Sequence, residues 1–175
     1  MSTIEMISIA TSFFACLGVF VAVIQLKLAL KAFRADHERR VKQSTIEFYS
    51  EINKESFWLT DYFEKHHRED PISYAEIIAN DELRQKVKRY LSLMERLSVG
   101  ITSGVFDIHI FDSIAGASTV IKYHQLQNYI FERRKKLPYH RLYSEFEYLA
   151  KKIEDIRADQ PTNKTRRSKI LPKNL

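Results

Sequence analysis

The sequence contains little glycine, proline or cysteine. Four glycines and four prolines occur in 175 residues, so the chain offers few tight turns. This scarcity argues against an all-β sandwich, a propeller or a glycine-rich loop that binds phosphate. The single cysteine, Cys16, excludes an internal disulfide and every zinc or iron–sulfur site that needs several cysteines. A protein built from long helices remains.

An excess of positive charge is also missing from most of the chain, although the net charge is +6. Residues 27–42 hold six basic and two acidic side chains, and residues 159–175 hold five basic and one acidic. Residues 43–158 hold 17 basic and 18 acidic side chains and are almost neutral. Such a domain offers no basic stripe for a polyanion, so nucleic acid is not expected as a partner.

One long stretch near the N-terminus carries no charge at all. Residues 6–26 are 21 consecutive uncharged residues, and a helix of that length measures about 31 Å, the thickness of a bilayer's hydrocarbon core. A buried core helix and a cleaved signal peptide are the alternatives, but the stretch lacks a polar edge and a basic leading segment. Because all six flanking basic residues follow the stretch, we expect a single-pass inner-membrane protein with its N-terminus outside and its C-terminal domain cytoplasmic.

These patterns divide the chain into four segments. Residues 1–26 are predicted to be the transmembrane anchor and residues 27–42 a basic juxtamembrane helix. Residues 43–158 are predicted to be a cytoplasmic helical domain and residues 159–175 a basic flexible tail. The predicted fold class is all-α, with a single N-terminal transmembrane helix that continues into a small cytoplasmic bundle of about four helices.

The anchor implies lipid contacts. Residues 6–26 would bind the bilayer itself, and a basic side chain beside an anionic leaflet gains about 1 kcal/mol. The predicted headgroup-binding residues are Lys27, Lys31, Arg34, Arg39 and Arg40. The basic tail has two interpretations, an end that never orders and a second lipid-binding arm.

Apolar spacing predicts the helices of the cytoplasmic domain. The first face consists of Ile46, Tyr49, Ile52, Leu59 and Phe63. A second helix is expected to begin near Ser73 or at Asn80, and its inner face consists of Leu83, Val87, Tyr90, Leu91, Met94 and Leu97. Asp107 is suited to cap a third helix, whose stripe would be Ile110, Ile114, Ala117, Ile121, His124, Asn128 and Phe131. Pro138 ends that helix, and a fourth runs from Tyr139 to about Arg157.

A few polar residues interrupt these stripes and are candidates for structural or ligand contacts. His124 and Asn128 lie one turn apart, either as ligands in a pocket or as hydrogen-bonded polar groups of the core. Glu95 lies on the inner flank of the second helix, where Arg133 or Arg134 could hold it ionised.

The sequence predicts no catalytic residue, no metal site and no cofactor. His66 and His67 stand beside several acids, but adjacent histidines point to different sides of a helix. The acids near Asp107 occupy a helix start, where a capping role is expected. No phosphate-binding loop, dinucleotide fingerprint or nucleophile elbow occurs.

The segment YLSLMERLSVGITSGVFD, followed by FERRKK and LYSEFEYLAKKI, carries a family resemblance. It resembles a bacterial domain-of-unknown-function family of small, N-terminally membrane-anchored helical proteins. The positions that carry the resemblance are Glu95, Gly100, Gly104, Asp107, Arg133 or Arg134, Tyr143, Glu145, Phe146 and Leu149. The resemblance implies a helical fold at a membrane and supplies no catalytic residues.

Taken with the near-neutral domain, these patterns predict a protein that acts by binding and not by catalysis. An enzyme would need Glu95, His124 and Asn128 to line one open pocket. The first hypothesis is a membrane-anchored interaction or sensor protein whose partner is another protein or a second copy. The alternative is an effector of a bacterial antiviral or toxin system that senses a signal and perturbs the membrane.

Overall fold

The computed structural model describes residues 3–66, 71–136 and 141–159, with side chains from residue 17 onward. The predicted tail from residue 160, the predicted helix start at Tyr139 and the side chain of Cys16 lie outside the described residues. The helices are α1 (Thr3–His66), α2 (Tyr74–Ala79), α3 (Asp81–Thr102), α4 (Ile108–Phe111), a π-helical turn (Asp112–Gly116), α5 (Ala117–Lys136) and α6 (Ser144–Ala158). No strand occurs in these ranges, so the all-α prediction is confirmed.

The chain divides into two compact units, Met1–Val41 and Lys42–Leu175. Within the described residues, no helix combines the length and the apolar character that crossing a bilayer requires. The predicted transmembrane anchor and the single-pass inner-membrane localisation are therefore wrong. Among the described side chains, the uncharged apolar run covers only the ten residues 17–26 before Lys27, which is short of the about 20 residues that a span needs.

The second unit has one apolar core, and the second half of α1 contributes to it. Ile52, Leu59 and Phe63 are buried there as predicted, whereas Ile46 is exposed. A buried acid, Glu55, lies on the same inner face. Its carboxylate oxygens lie 3.2 Å from Lys86 Nζ and 3.1 Å from Arg89 Nε, both on α3. Contacts between opposite charges thus accompany the apolar packing of α1 on α3.

Two polar caps define the starts of α2 and α3. The Ser73 hydroxyl accepts a hydrogen bond from the Glu76 N–H at 3.2 Å, and the Asn80 side chain accepts one from the Leu83 N–H at 3.0 Å. Both helix starts that the sequence offered are therefore present. The whole predicted inner face of α3, from Leu83 to Leu97, is buried.

The turn after α3 depends on two glycines and a capping acid. A Cβ at Gly100 would lie 2.2 Å from the Phe106 ring, and Gly104 has a φ of +76°. Neither position accommodates a larger residue without a shift or strain. The Asp107 side chain accepts hydrogen bonds from the N–H groups of His109 and Ile110, which confirms its predicted capping role.

The inner face of α5 differs from the predicted one. Ile114, Ile121 and Phe131 of the predicted stripe are 44%, 57% and 41% exposed. The buried residues of α5 are instead Thr119, Lys122, Tyr123, Gln125, Leu126, Tyr129 and Ile130. The prediction is wrong because several inward residues are polar, so apolar spacing selected the neighbouring, more hydrophobic stripe.

The π-helical turn joins α4 to α5, and its buried Asp112 forms an ionic contact with the partly exposed Arg157. The Arg157 side chain of α6 donates from Nε to Asp112 Oδ1 at 2.5 Å and from Nη2 to the Asp112 carbonyl at 2.8 Å. Gly116 lies directly against this pair, since a Cβ there would be 2.0 Å from Asp112 Oδ1 and 3.0 Å from Arg157 Nη2.

Gly116→Ala is expected to displace the Asp112 carboxylate from Arg157 and leave a buried charge with a poorer partner. We expect the free energy of unfolding to fall by about 2–4 kcal/mol, measured by urea denaturation. Gly18→Ala is the matched control, because a Cβ at Gly18 meets nothing within 4 Å. Equal stability of Gly116→Ala and the wild type would contradict the steric argument.

Candidate functional site

Glu95 is the predicted polar residue with the clearest role. Its carboxylate accepts hydrogen bonds from the backbone N–H of Phe146 at 2.8 Å and of Glu145 at 3.3 Å. Tyr143, at the N-cap of α6, has a φ of 58° and makes no side-chain capping bond. Glu95 on α3 therefore caps α6 from a distant part of the chain and places its negative charge at the positive end of that helix.

Burial raises the pKa of the Glu95 carboxyl, while the Phe146 and Glu145 N–H groups and the Arg134 charge oppose that rise. Arg134 makes its direct contacts elsewhere. Its Nε donates to the Leu142 carbonyl at 2.7 Å, and its Nη1 donates to Glu147 Oε2 at 2.6 Å. Arg134 thus links the end of α5 to the start of α6. The direct partners of the Glu95 carboxylate are the backbone amides of α6 and not Arg134.

The other three predicted residues, His124, Asn128 and Arg133, do not take part in this capping contact. His124 is exposed on α5, and its Nε2 lies 2.7 Å from Glu154 Oε1 of α6. Asn128 is exposed on the same outer face. Arg133 is half-buried, and within the described residues its Nε has no hydrogen-bond partner. The structure therefore does not bring His124 and Asn128 into one pocket with Glu95.

The five residues predicted to bind lipid headgroups lie in the first unit, and all are exposed. Arg40 forms an ion pair with Asp36 at 2.7 Å, one helical turn away. Their assignment to headgroups depended on an adjacent membrane span, and the described residues contain none.

Glu95→Ala is expected to leave the first amides of α6 without an acceptor, as loss of an N-cap does. We expect the free energy of unfolding to fall by about 1–2 kcal/mol, measured by urea denaturation. Glu51→Ala, at an exposed position of α1, is the control and should change stability by less than about 0.5 kcal/mol. A stable Glu95→Ala protein would show that water caps α6 equally well.

A second site, which sequence reasoning missed, is a cavity between the second half of α1 and α5. Its volume is about 240 Å³. The lining residues are Thr60, Phe63 and Glu64 of α1 with Ser118, Ile121, Lys122 and Gln125 of α5. Lys122 and Gln125 are only 3% and 8% exposed. Long polar side chains seldom reach this degree of burial unless they are paired.

Burial lowers the pKa of the Lys122 ammonium from its ordinary value of 10.5 to about 8, although the negative charge of Glu64 opposes the change. At pH 7 the group therefore remains mostly protonated. Among the described residues, Lys122 Nζ forms no hydrogen bond or direct ion pair. A buried cation beside a cavity with no described partner is a candidate binding group.

The sequence contained only a weak signal for this site. Lys122 and Gln125 lie three residues apart, as do Ser118 and Ile121, so each pair shares a side of α5. That spacing became informative only once the inner face of α5 was known, because isolated polar residues usually mark a solvated face.

Lys122→Met is expected to raise the free energy of unfolding at pH 7 by about 1–3 kcal/mol, because it removes a buried charge and keeps the length of the side chain. Between pH 8 and 10.5 the unfolded chain binds the lysine proton more tightly than the folded chain. The stability of the wild type therefore rises with pH over this range. The stability advantage of Lys122→Met is complete below about pH 8 and shrinks toward pH 10.5.

Urea denaturation of both proteins across this pH range measures the difference. Lys88→Met, which changes an exposed lysine of α3, is the control and should have almost no effect. A Lys122→Met protein less stable than the wild type at pH 7 would reveal a stabilising partner for the ammonium.

Of three comparisons with known proteins, one gave a match. Neither the curated proteins nor the solved structures gave a match. A family model described as a domain of unknown function, DUF4760, matches residues 12–153. This range includes all the positions on which the sequence resemblance rested, so the predicted membership of an uncharacterised domain family is confirmed. The chain belongs to the DUF4760 family.

Proposed function

We propose that this chain is a helical interaction protein that self-associates through the apolar helix of its first unit. The observation that carries the proposal is a concentration of exposed large apolar side chains in one stretch of α1. They are Leu17, Val19, Phe20, Val21, Val23, Ile24, Leu26, Leu28, Leu30 and Phe33. Contiguous apolar surface of this kind marks an interaction site.

The spacing within this stretch favours a second copy of the same helix as the partner. Val19, Val23, Leu26, Leu30 and Phe33 follow one another at intervals of four, three, four and three residues. This is the spacing by which coiled-coil helices pack their side chains together. The five residues, which we call the seam, are between 46% and 72% exposed.

Charge does not oppose self-association along the first half of the seam, whereas Lys27, Lys31 and Arg34 lie beside its second half. Residues 17–26 carry no charge, so the first half of the seam brings no like charges together. Asp36 and Arg40, beyond its end, are neutralised by their own ion pair. The alternative hypothesis of a membrane-perturbing effector depended on the predicted span and is not retained.

The test compares two double variants by light scattering coupled to size-exclusion chromatography. We expect the wild-type chain to be oligomeric and Val23→Glu/Leu30→Glu to be monomeric, because buried glutamates in a coiled-coil seam repel each other and lose hydration. Val21→Glu/Leu28→Glu is the matched control, since it changes the same two residue types at the same separation outside the seam.

A monomeric wild type would contradict self-association. Loss of the oligomer in both variants would contradict the assignment of the contact to the seam. It would indicate that the apolar helix associates without a specific face. Circular dichroism of each variant establishes that the helical content is retained.

A further inference from the structure

The cavity between α1 and α5 has one charge of each sign at its wall. Lys122 is buried, and Glu64 lies exposed at the edge. The two side chains interact electrostatically, but among the described residues they form no direct ion pair. A space therefore lies between opposite charges that do not neutralise each other by contact.

The remaining wall of the cavity provides hydrogen-bonding groups and apolar surface. The Thr60 hydroxyl donates to the Ser56 carbonyl at 2.9 Å, and the Ser118 hydroxyl donates to the Ala115 carbonyl at 3.1 Å. Each hydroxyl oxygen retains lone pairs that can accept a hydrogen bond from an occupant. The Gln125 amide is buried and forms no side-chain hydrogen bond within the described residues, while Phe63 and Ile121 add apolar wall.

The charges and the volume together restrict the occupant. Glu64 would repel a simple anion, and Lys122 would repel a simple cation. A volume of about 240 Å³ lies below the range typical of drug-sized ligands. A small occupant that carries both charges therefore complements the two charged groups best.

We propose that this cavity binds a small zwitterion of the α-amino-acid class, with its carboxylate at Lys122 and its ammonium group toward Glu64. Gln125 and the two hydroxyls supply further hydrogen bonds, and Phe63 and Ile121 contact a short apolar side chain. This binding is independent of the self-association proposed above, because every group that carries it lies in the second unit.

The test is isothermal titration calorimetry of the full-length chain with L-alanine, L-leucine and L-glutamine at millimolar concentration. Two derivatives separate the charges: N-acetyl-L-leucine lacks the ammonium group, and L-leucinamide lacks the carboxylate. We expect at least one of the three amino acids to bind. The N-acetyl and amide derivatives of the amino acid that binds should each bind at least about tenfold more weakly than that amino acid.

Variants connect the binding to the cavity. Lys122→Met is expected to weaken binding at least about tenfold and Glu64→Gln by a smaller factor, because Glu64 is the more solvated group. Lys88→Met, which changes an exposed lysine on α3, should bind as the wild type does. Urea denaturation of Lys122→Met checks that lost binding does not reflect lost folding.

Three results would overturn the proposal. The first is that no amino acid of the panel binds to the wild type. The second is that the N-acetyl derivative binds as tightly as its parent, which would make the cavity an anion site. The third is unchanged binding by a folded Lys122→Met protein, which would place the site elsewhere.

Discussion

The second unit depends on how helix α6 is held at its two ends. At its start, the Glu95 carboxylate accepts two α6 amides, and Arg134 binds both Leu142 and Glu147. At its far end, Arg157 binds Asp112 of the π-helical turn. Between these contacts α6 buries Phe146, Leu149, Ala150 and Ile153. Apolar packing attaches the helix to the core, and the charged contacts determine its position along that core, because they are directional and hydrophobic burial is not.

The π-helical turn connects this arrangement to the candidate binding site. Its Asp112 is the acid that Arg157 binds, and its last residue, Gly116, leaves room for that pair. Helix α5 follows directly and presents Lys122 and Gln125 inward and His124 and Asn128 outward. The polar inner face is unfavourable for the core, since a buried ammonium loses its hydration. The same face provides the polar groups of the cavity between α1 and α5.

The two units offer different kinds of surface. The described side chains of the first unit expose a dense set of large apolar residues on one helix, whereas the second unit encloses its apolar residues in a core. An exposed apolar helix is suited to contact another protein surface. A cavity with a buried cation is suited to contact a small molecule. Both proposals therefore concern binding, one to a second copy of the chain and the other to a small molecule.

Local signals in the sequence were sufficient to predict the helices of the second unit. Ser73 and Asn80 cap helices at the two places where a helix start was expected, and Asp107 caps a helix as predicted. The α3 face from Leu83 to Leu97 is buried as its spacing indicated. These features depend on residues three or four apart, which contact each other as soon as a helix forms. The prediction of a span over residues 6–26 was wrong, because the described side chains include only ten uncharged residues, 17–26, before Lys27.

By itself, the sequence determined the all-α class, most helix boundaries and membership of the family. Only the tertiary structure decided that Glu95 caps α6, that Arg157 meets Asp112 and that Lys122 faces inward. Each of these contacts joins residues on different helices, separated by tens of positions, and local spacing carries no information about which faces will meet. The orientation of α5 followed from the packing of the whole bundle, which overrode the more hydrophobic stripe on its outer side.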